Sequence, residues 1–221
     1  MNWKTYKFHC SALPRLMTNS RTKSEPLGET AKSLLREIHI KEIFGREKTD
    51  SINRYTQKGL LVEQDSLDLA TKVLDTGFIA KNKDQLENDY IIGTPDVVKP
   101  ETWDVKSNWD LWTFFEVDED KACKDYFWQV FGYMWLTDAK QTKLIYALVN
   151  TPDHIVEDEL YRLNFKVGED KAEEYRKNFV FDDIPPEKRI KTFTIDWESE
   201  KLEELTQRIE LAREYLGGLS L

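Results

Sequence analysis

Three charged residues lie close together in the stretch IIGTPDVVKPETWDVKSNWD, residues 91–110: Asp96, Asp104 and Lys106. If neighbouring strands place the two carboxylates face to face, they repel each other, and burying them costs on the order of several kcal/mol without a compensating cation. Mg²⁺ and Mn²⁺ prefer carboxylate oxygens and water as ligands. A nearby lysine can orient or deprotonate a metal-bound water and stabilise charge on a phosphate. The pattern therefore indicates metal-assisted chemistry on a phosphate.

The plain alternative is a surface ion pair between Asp104 and Lys106. The pattern acid-x-Lys, in which x is any residue, occurs four times in this sequence, beginning at Asp104, Glu119, Asp138 and Glu169. Only Asp104 stands on a predicted strand that follows a Gly-x-Pro-Asp sequence. The context, rather than the three-residue pattern, favours the metal interpretation.

The turn between the two strands decides whether the aspartates meet. A three-residue loop over 99–101, with proline fixing φ at the bend, pairs Val98 with Thr102 and sets the two aspartates opposite each other. Strand alternation then puts the lysine on the aspartate face and turns Trp103 and Val105 into a core. A loop of even length would break this register.

A glutamate falls within an apolar stripe of a predicted helix over about 52–75. Glu63 shares the helical spacing of the stripe Leu60, Leu67, Ala70 and Leu74. A carboxylate on a buried face needs a partner, and a metal shared with the aspartates would supply one. The alternative is that Glu63 lies at the edge of the stripe and reaches solvent or pairs with a lysine.

An aromatic helix predicted over about 121–137 carries a polar pair, Gln129 and Tyr133. The two residues are four positions apart and so share one face of the helix. The pair is either part of a site or a satisfied hydrogen bond in the core, and both interpretations stay open at this point.

The remaining elements form a mixed pattern. A loop over 20–30 precedes a helix over about 31–44, with Thr30 as its N-cap and Gly45 as its stop. An amphipathic helix closes the chain. The predicted strands lie near 77–81, 89–98, 101–107, 142–150 and 190–196, and the closing helix covers about 198–216. This order predicts an α/β (α+β) domain with helices around a small mixed sheet.

Composition and charge narrow the class of protein. The 221 residues suit one large domain. Residues 1–60 hold twelve Lys and Arg against six Asp and Glu, while the remainder holds 20 against 35, within a net charge of −9. That asymmetry fits a local phosphate-binding surface or ordinary solvated helix faces. Two cysteines, Cys10 and Cys123, exclude a disulfide framework and are predicted to be reduced thiols in or near the core. No apolar run is long enough to span a bilayer, so we expect a cytoplasmic protein without membrane contact.

These motifs, in this order, resemble the PD-(D/E)xK nuclease superfamily in its RecB-like branch. Glu63 matches the helix glutamate, GTPD carries Asp96, DVK carries Asp104 and Lys106, and QVFGY is the Q-x-x-x-Y element. Three longer segments are similar to phage recombination exonucleases of the lambda exonuclease or YqaJ type, at 8–18, 55–67 and 126–153. One departure is that Asp104 stands where many members have Glu, which alters the metal spacing.

The resemblance implies a restriction-endonuclease-like core and a set of residue roles. The chain would be one nuclease domain over 1–221, with a helical DNA-contacting part over about 1–50 and a C-terminal extension over about 155–221. Asp96, Asp104 and the carbonyl of Val105 would hold Mg²⁺, or Mn²⁺ in its place, with help from Glu63. Lys106 would position the attacking water. Gln129 and Tyr133 would shape the site and the nearby strand of DNA. Ser11 would bind a terminal 5′-phosphate, and Arg15 would contact DNA.

The resemblance also implies the substrate and partners. The substrate would be linear double-stranded DNA with free ends, digested 5′ to 3′ in phage-type recombination, in the host bacterial cytoplasm if the chain is phage-encoded. The partners would be a single-strand annealing protein and copies of the chain in a ring. Two alternatives remain open: an endonuclease of the restriction or repair type with the same site, and a non-catalytic DNA-binding protein on the same fold.

Overall fold

The computed structural model describes residues 1–22, 25–49 and 53–220. The helices are α1 (Leu13–Leu16), α2 (Glu29–Phe44), α3 (Arg54–Leu61), α4 (Glu63–Val73), α5 (Leu111–Phe115), α6 (Glu119–Thr137), α7 (Asp153–Val167), α8 (Glu169–Glu174) and α9 (Ser199–Gly218). The strands are β1 (Phe8–His9), β2 (Leu86–Glu87), β3 (Ile91–Gly93), β4 (Thr102–Ser107), β5 (Gln141–Ala147) and β6 (Ile190–Asp196). The predicted loop over 20–30 includes residues 23 and 24, and the predicted helix over 52–75 includes residue 52. These residues, and residue 221 of the predicted domain, lie outside the described part of the chain.

The strands form two small mixed sheets. In one, β4 runs parallel to β5 and β5 antiparallel to β6. In the other, β3 lies between β1, which is parallel to it, and β2, which is antiparallel. An antiparallel bridge between Val97 and Trp103 connects the segment after β3 to β4. The predicted α/β (α+β) class is therefore confirmed, with the sheet formed in two parts.

Helices cover both faces of the sheet that contains β4. On one face, Trp103 and Ile145 pack with Leu67 and Ala70 of α4. On the other, Leu144 and Tyr146 belong to a larger core cluster that includes residues of α6 and α9. Since Asp104 pairs with Leu144 and Lys106 with Tyr146 in register, the aspartate and the lysine lie on the face that α6 covers.

The predicted helix over 52–75 is two helices rather than one. The chain breaks at Val62, whose φ of −107° and ψ of 16° are not helical, and whose side chain is buried. The break turns α3 away from the stripe of α4, so Leu60 is 66% exposed while Leu67 and Ala70 are buried. The predicted stripe is therefore wrong at Leu60, and Glu63 becomes the first residue of α4.

Two predicted strands also differ from the structure. The segment 77–81 forms no strand, because the left-handed backbone of Asp75 and Gly77 turns the chain out of α4 and gives the segment no ladder partner. The strand predicted over 89–98 is limited to β3, since Pro95 has no N–H to continue a ladder. The strands predicted near 101–107, 142–150 and 190–196 correspond to β4, β5 and β6.

Helix ends follow local backbone geometry. Gly28, not Thr30, is the N-cap of α2, and Thr30 lies inside the helix. Gly45 ends the same helix in the left-handed conformation, as predicted, with φ of 61°. Cys10 is buried and Cys123 is partly buried against the core, and both are free thiols, as predicted.

The C-terminal part contributes to the main core. Four residues of α9 are fully buried within the cluster that contains Phe8: Leu205, Ile209, Ala212 and Leu216. The buried Arg213 donates hydrogen bonds to the backbone carbonyls of Tyr6, at 3.0 and 2.9 Å, and Asp89. The helices α7 and α8 were not predicted. In the described ranges, no helix has the length and apolarity that crossing a bilayer requires.

Candidate active site

The two aspartates meet as the predicted turn requires. Val97 and Trp103 exchange backbone hydrogen bonds of 3.3 and 3.0 Å, and this register sets Asp96 opposite Asp104. The backbone N–H of Val105 donates to Asp96 Oδ2 at 2.7 Å. The carboxylate of Asp96 is therefore fixed against β4, beside the residue that carries the second carboxylate.

The two carboxylates affect each other electrostatically. The pKa of Asp96 is raised from 3.8 to about 6. Burial is the largest cause and the charge of Asp104 is the second, while the hydrogen bond from Val105 opposes the rise. Asp104 is only 3% exposed. Two acids held this close in a buried place form a site where a cation would lower the free energy of the charged pair.

Lys106 lies beside this pair as an ammonium. Its Nζ is 2.9 Å from Asp104 Oδ2 and donates to Asp104 Oδ1 at 3.2 Å. Its Nζ also lies 4.6 Å from the ring centre of Tyr126. Burial lowers the pKa of Lys106, but the charge of Asp104 and other anionic groups outweighs it, so the net pKa is raised. The raised pKa favours the ammonium form of Lys106, which is the form that donates hydrogen bonds.

The polar pair on α6 completes the surroundings of Asp104. The side-chain amide of Gln129 donates to Asp104 Oδ1 at 3.3 Å and to the Tyr133 hydroxyl at 3.1 Å. The pair is therefore both a hydrogen bond in the core and part of the site, because the same amide contacts Tyr133 and Asp104. The ring of Tyr133 packs against the backbone of Gly93, where a side chain would not fit, because a Cβ there would lie 2.8 Å from Tyr133 Cε1.

Glu63 is placed differently from the expectation. It begins α4, on the opposite face of the sheet from Asp104, and forms an ion pair with Lys81. Among the described residues, no three His, Cys, Asp or Glu side chains are close enough together to hold a metal ion. The structure thus brings together two of the three expected acids, and Glu63 has the lysine partner that was left open as the alternative. Its charge still contributes to the raised pKa of Asp96.

The donor set of the aspartate pair fits a hard divalent cation. Both side chains offer carboxylate oxygens, and the Val105 carbonyl belongs to the same strand. In the described part of the chain, no donor is aligned to hydrogen-bond the buried Asp104 Oδ2, although Lys106 Nζ lies within ion-pair distance of it. An oxygen in this condition has unused capacity as a ligand.

Ser11 and Arg15 lie on the surface. They line one groove together with Arg46 and Lys48. Arg15 pairs with Glu37 at 2.8 Å, and Lys48 pairs with the same glutamate at 2.6 Å. Acids therefore offset part of the positive charge of the N-terminal part. Cys10, the residue before Ser11, is close enough to Asp104 for that charge to contribute, after burial, to the raised pKa of the Cys10 thiol.

Three residues near the site were missed by the sequence analysis. Tyr126 lies three positions before Gln129 on α6, so helical spacing could have identified it. Lys58 is buried and donates to the carbonyls of Asn108 and Trp109, both at 2.8 Å, just after β4. Nothing in the sequence marks Lys81, whose position depends on how the loop before β2 folds back.

Solved structures with the same fold provide the comparison. A phage-related exonuclease from Haemophilus somnus 129PT is 26% identical, with a TM-score of 0.79 over 96% of this chain and 94% of that chain. The alkaline exonuclease LHK-Exo from Laribacter hongkongensis is 14% identical, with a TM-score of 0.62 over 97% of this chain and 91% of that chain. The structure of LHK-Exo in complex with dAMP is 13% identical, with a TM-score of 0.64 over 97% of this chain and 89% of that chain. No protein-family model and no curated protein sequence matches the chain.

These structures confirm the resemblance to phage-type exonucleases. The likeness to LHK-Exo shows the fold alone, because the sequence identity is low, whereas the Haemophilus protein is more similar in both fold and sequence. The match covers nearly the whole chain and so extends beyond residue 153, where the sequence motifs end.

Proposed function

We propose that this chain is a DNA exonuclease that uses Mg²⁺, or Mn²⁺ in its place, to hydrolyse phosphodiester bonds of linear double-stranded DNA from free ends, 5′ to 3′, in phage-type recombination. One observation carries the proposal. The pair of the partly buried Asp96 and the buried Asp104, with the charged Lys106 beside it, lies in a fold shared with a phage-related exonuclease.

The residues divide the work in the following way. Asp96 and Asp104, with the carbonyl of Val105, would hold the metal, and Glu63 would assist after leaving its lysine partner. When bound, the metal supplies Lewis-acid polarisation of the phosphate and lowers the pKa of a water. Lys106 donates hydrogen bonds that orient the attacking water and stabilises the negative charge that builds on the phosphate.

The residues of α6 hold this arrangement in place. Gln129 fixes the orientation of Asp104 through Oδ1, and Tyr133 fixes the amide of Gln129 in turn. We also propose that both side chains shape the site for the nearby DNA strand. Ser11 forms the proposed contact with a terminal 5′-phosphate. Arg15 forms a proposed contact with DNA, for which the DNA competes with Glu37 for the guanidinium. The annealing partner and the ring-shaped assembly of copies stay predictions.

The central test is digestion of end-labelled linear duplex DNA in Mg²⁺ or EDTA, with and without a 5′-phosphate. We expect Mg²⁺-dependent release of nucleotides from the 5′ end. Lys106→Ala and Asp96→Asn should fold normally and lose at least about 10²-fold in rate, the typical effect of removing an acid–base group. Lys121→Ala is the matched control, because it removes a lysine from another acid-x-Lys sequence, on the exposed side of α6.

The same assay separates the alternatives. Cleavage of closed-circular duplex at the rate of linear duplex would indicate an endonuclease, and binding without cleavage in either metal would indicate a non-catalytic protein. Ser11→Ala should reduce the preference for 5′-phosphorylated ends while leaving the rate on unphosphorylated ends unchanged. Wild-type digestion by Lys106→Ala or Asp96→Asn would refute the assignment of the site.

A further inference from the structure

The ion pair between Lys81 and Glu63 raises a question that the proposed function does not answer. Glu63 is the acid expected at the metal, yet its carboxylate contacts an ammonium. The Lys81 side chain is 25% exposed and that of Glu63 is 40% exposed, so the pair is in contact with solvent rather than enclosed in the core. Both groups can therefore reach a ligand that arrives from solvent.

The backbone of Lys81 is anchored on both sides. Ile79 is buried in the cluster that contains Val97 and Trp103. The backbone N–H of Asn82 donates to the carbonyl of Asp96 at 2.7 Å, and its side-chain amide donates to the carbonyl of Pro95 at 3.0 Å. The loop is thus attached to the segment that carries the first aspartate, and this attachment fixes the backbone of Lys81 close to that aspartate.

Glu63 can bind a metal only if its ion pair with Lys81 opens. The ion pair lies beside the segment that carries the first aspartate, because Asn82, the neighbour of Lys81, donates its backbone N–H to the carbonyl of Asp96 at 2.7 Å. With the ion pair in place, however, the described acids do not group as three ligands. A divalent cation that recruits Glu63 must therefore compete with the Lys81 ammonium. An ammonium released in this way needs another anion, and the substrate offers phosphates.

We propose that Lys81 is a positioning residue that holds Glu63 in the metal-free protein and transfers to a DNA phosphate when Glu63 turns to the metal. The inference rests on the proposed function and deepens it, because it makes metal binding and DNA binding depend on each other. DNA that accepts Lys81 favours release of Glu63, and so raises the affinity for metal. By thermodynamic linkage, metal raises the affinity for DNA by the same factor.

The test measures Mn²⁺ binding by titration calorimetry, without and with a short blunt duplex. The bridging oxygens at the duplex ends are replaced by CH₂, so that the duplex keeps its charge and is not cleaved. Lys81→Met should bind Mn²⁺ up to about 5-fold more tightly than wild type without DNA, since an exposed ion pair contributes at most about 1 kcal/mol. The increase in Mn²⁺ affinity caused by the duplex should be smaller in Lys81→Met than in wild type.

Three variants make the result specific. Lys83→Met removes the same charge from an exposed position in the same loop and should behave as wild type. Lys81→Arg keeps a cation and should restore the coupling between duplex and metal. Asp104→Asn should lose Mn²⁺ binding, and if it does not, the proposed function fails. If Asp104→Asn loses Mn²⁺ but Lys81→Met matches wild type in affinity, or keeps the full effect of the duplex, the inference about Lys81 is overturned and the proposed function stands.

Discussion

Replacing Asp96 with asparagine should stabilise the fold while abolishing the proposed activity. The wild-type carboxylate is unfavourable in the metal-free protein, because burial and the charge of Asp104 raise its pKa from 3.8 to about 6. Asparagine removes the charge and keeps an oxygen to accept the 2.7 Å hydrogen bond from Val105. The variant should therefore unfold less readily than wild type wherever the wild-type carboxyl is ionised.

The magnitude follows from linkage. Because the folded pKa of Asp96 lies above the unfolded one, the folded protein binds the extra proton between pH 3.8 and about 6. Stability from this group is full below that window and is lost as the pH rises through it. The difference between 3.8 and about 6, at about 1.4 kcal/mol per pH unit, gives at most about 3 kcal/mol at pH 8. For a domain of this size that corresponds to a Tm higher by about 6–12 °C.

The assay is unfolding followed by tryptophan fluorescence in EDTA, at pH 8 and near pH 4. The advantage of Asp96→Asn should be present at pH 8 and nearly vanish near pH 4, where the wild-type carboxyl is neutral. Asp65→Asn, at an exposed position of α4, is the control and should show little change at either pH. Adding Mg²⁺ should stabilise wild type more than the variant. A variant less stable than wild type at pH 8, or an advantage that does not depend on pH, would refute this electrostatic account.

Three further predictions concern the supporting structure. Gly93→Ala should destabilise the fold by about 1–3 kcal/mol in denaturant titration, because the new Cβ would lie 2.7 Å from Cys10 Sγ, and adding Cys10→Ala should recover part of that loss. Arg213→Ala should cost about 2–4 kcal/mol by leaving backbone carbonyls unpaired, whereas Lys201→Ala on the same helix, which breaks a surface pair, should cost under about 1 kcal/mol. Burial lowers the pKa of Lys58 to about 7, so wild-type stability should gain from this group as the pH rises from about 7 to 10, and unfolding of Lys58→Met over that range should lack the gain.

The hairpin shows which part of the site the sequence could predict. The register depends on two local features, the length of the turn and the alternation of apolar side chains. Both are visible in the residues around Pro100, and Trp103 is fully buried as the alternation requires. The position of Gln129 relative to Tyr133 is equally local, since both lie on one helix. Local periodicity therefore defines the fixed half of the site, which consists of the aspartate pair, Lys106 and α6.

The errors have a common physical cause. The helix break at Val62 is decided by how α3 and α4 pack. Its immediate neighbours, Leu61 and Glu63, are not helix-breaking residues, and Gly59 lies inside α3. The failed strand at 77–81 depends on the absence of a neighbour, which no local pattern reveals. The loop over 77–85 is also what brings Lys81 to Glu63, 18 residues away. Contacts of this kind are set by tertiary packing, and tertiary packing overrides local propensity.

The site therefore consists of a fixed half and an adjustable half, and the difference has a consequence for function. Asp96 is bound to the backbone of β4 and Asp104 is buried against Gln129, so neither carboxylate can move away to relieve their repulsion. Glu63 is the first residue of α4, and its charge already has a partner in Lys81. Under the proposed function, a fixed pair of repelling acids would attract a cation before substrate arrives, whereas an acid that must exchange partners would respond only when another anion takes up the lysine. Such a division would let DNA itself complete the metal site.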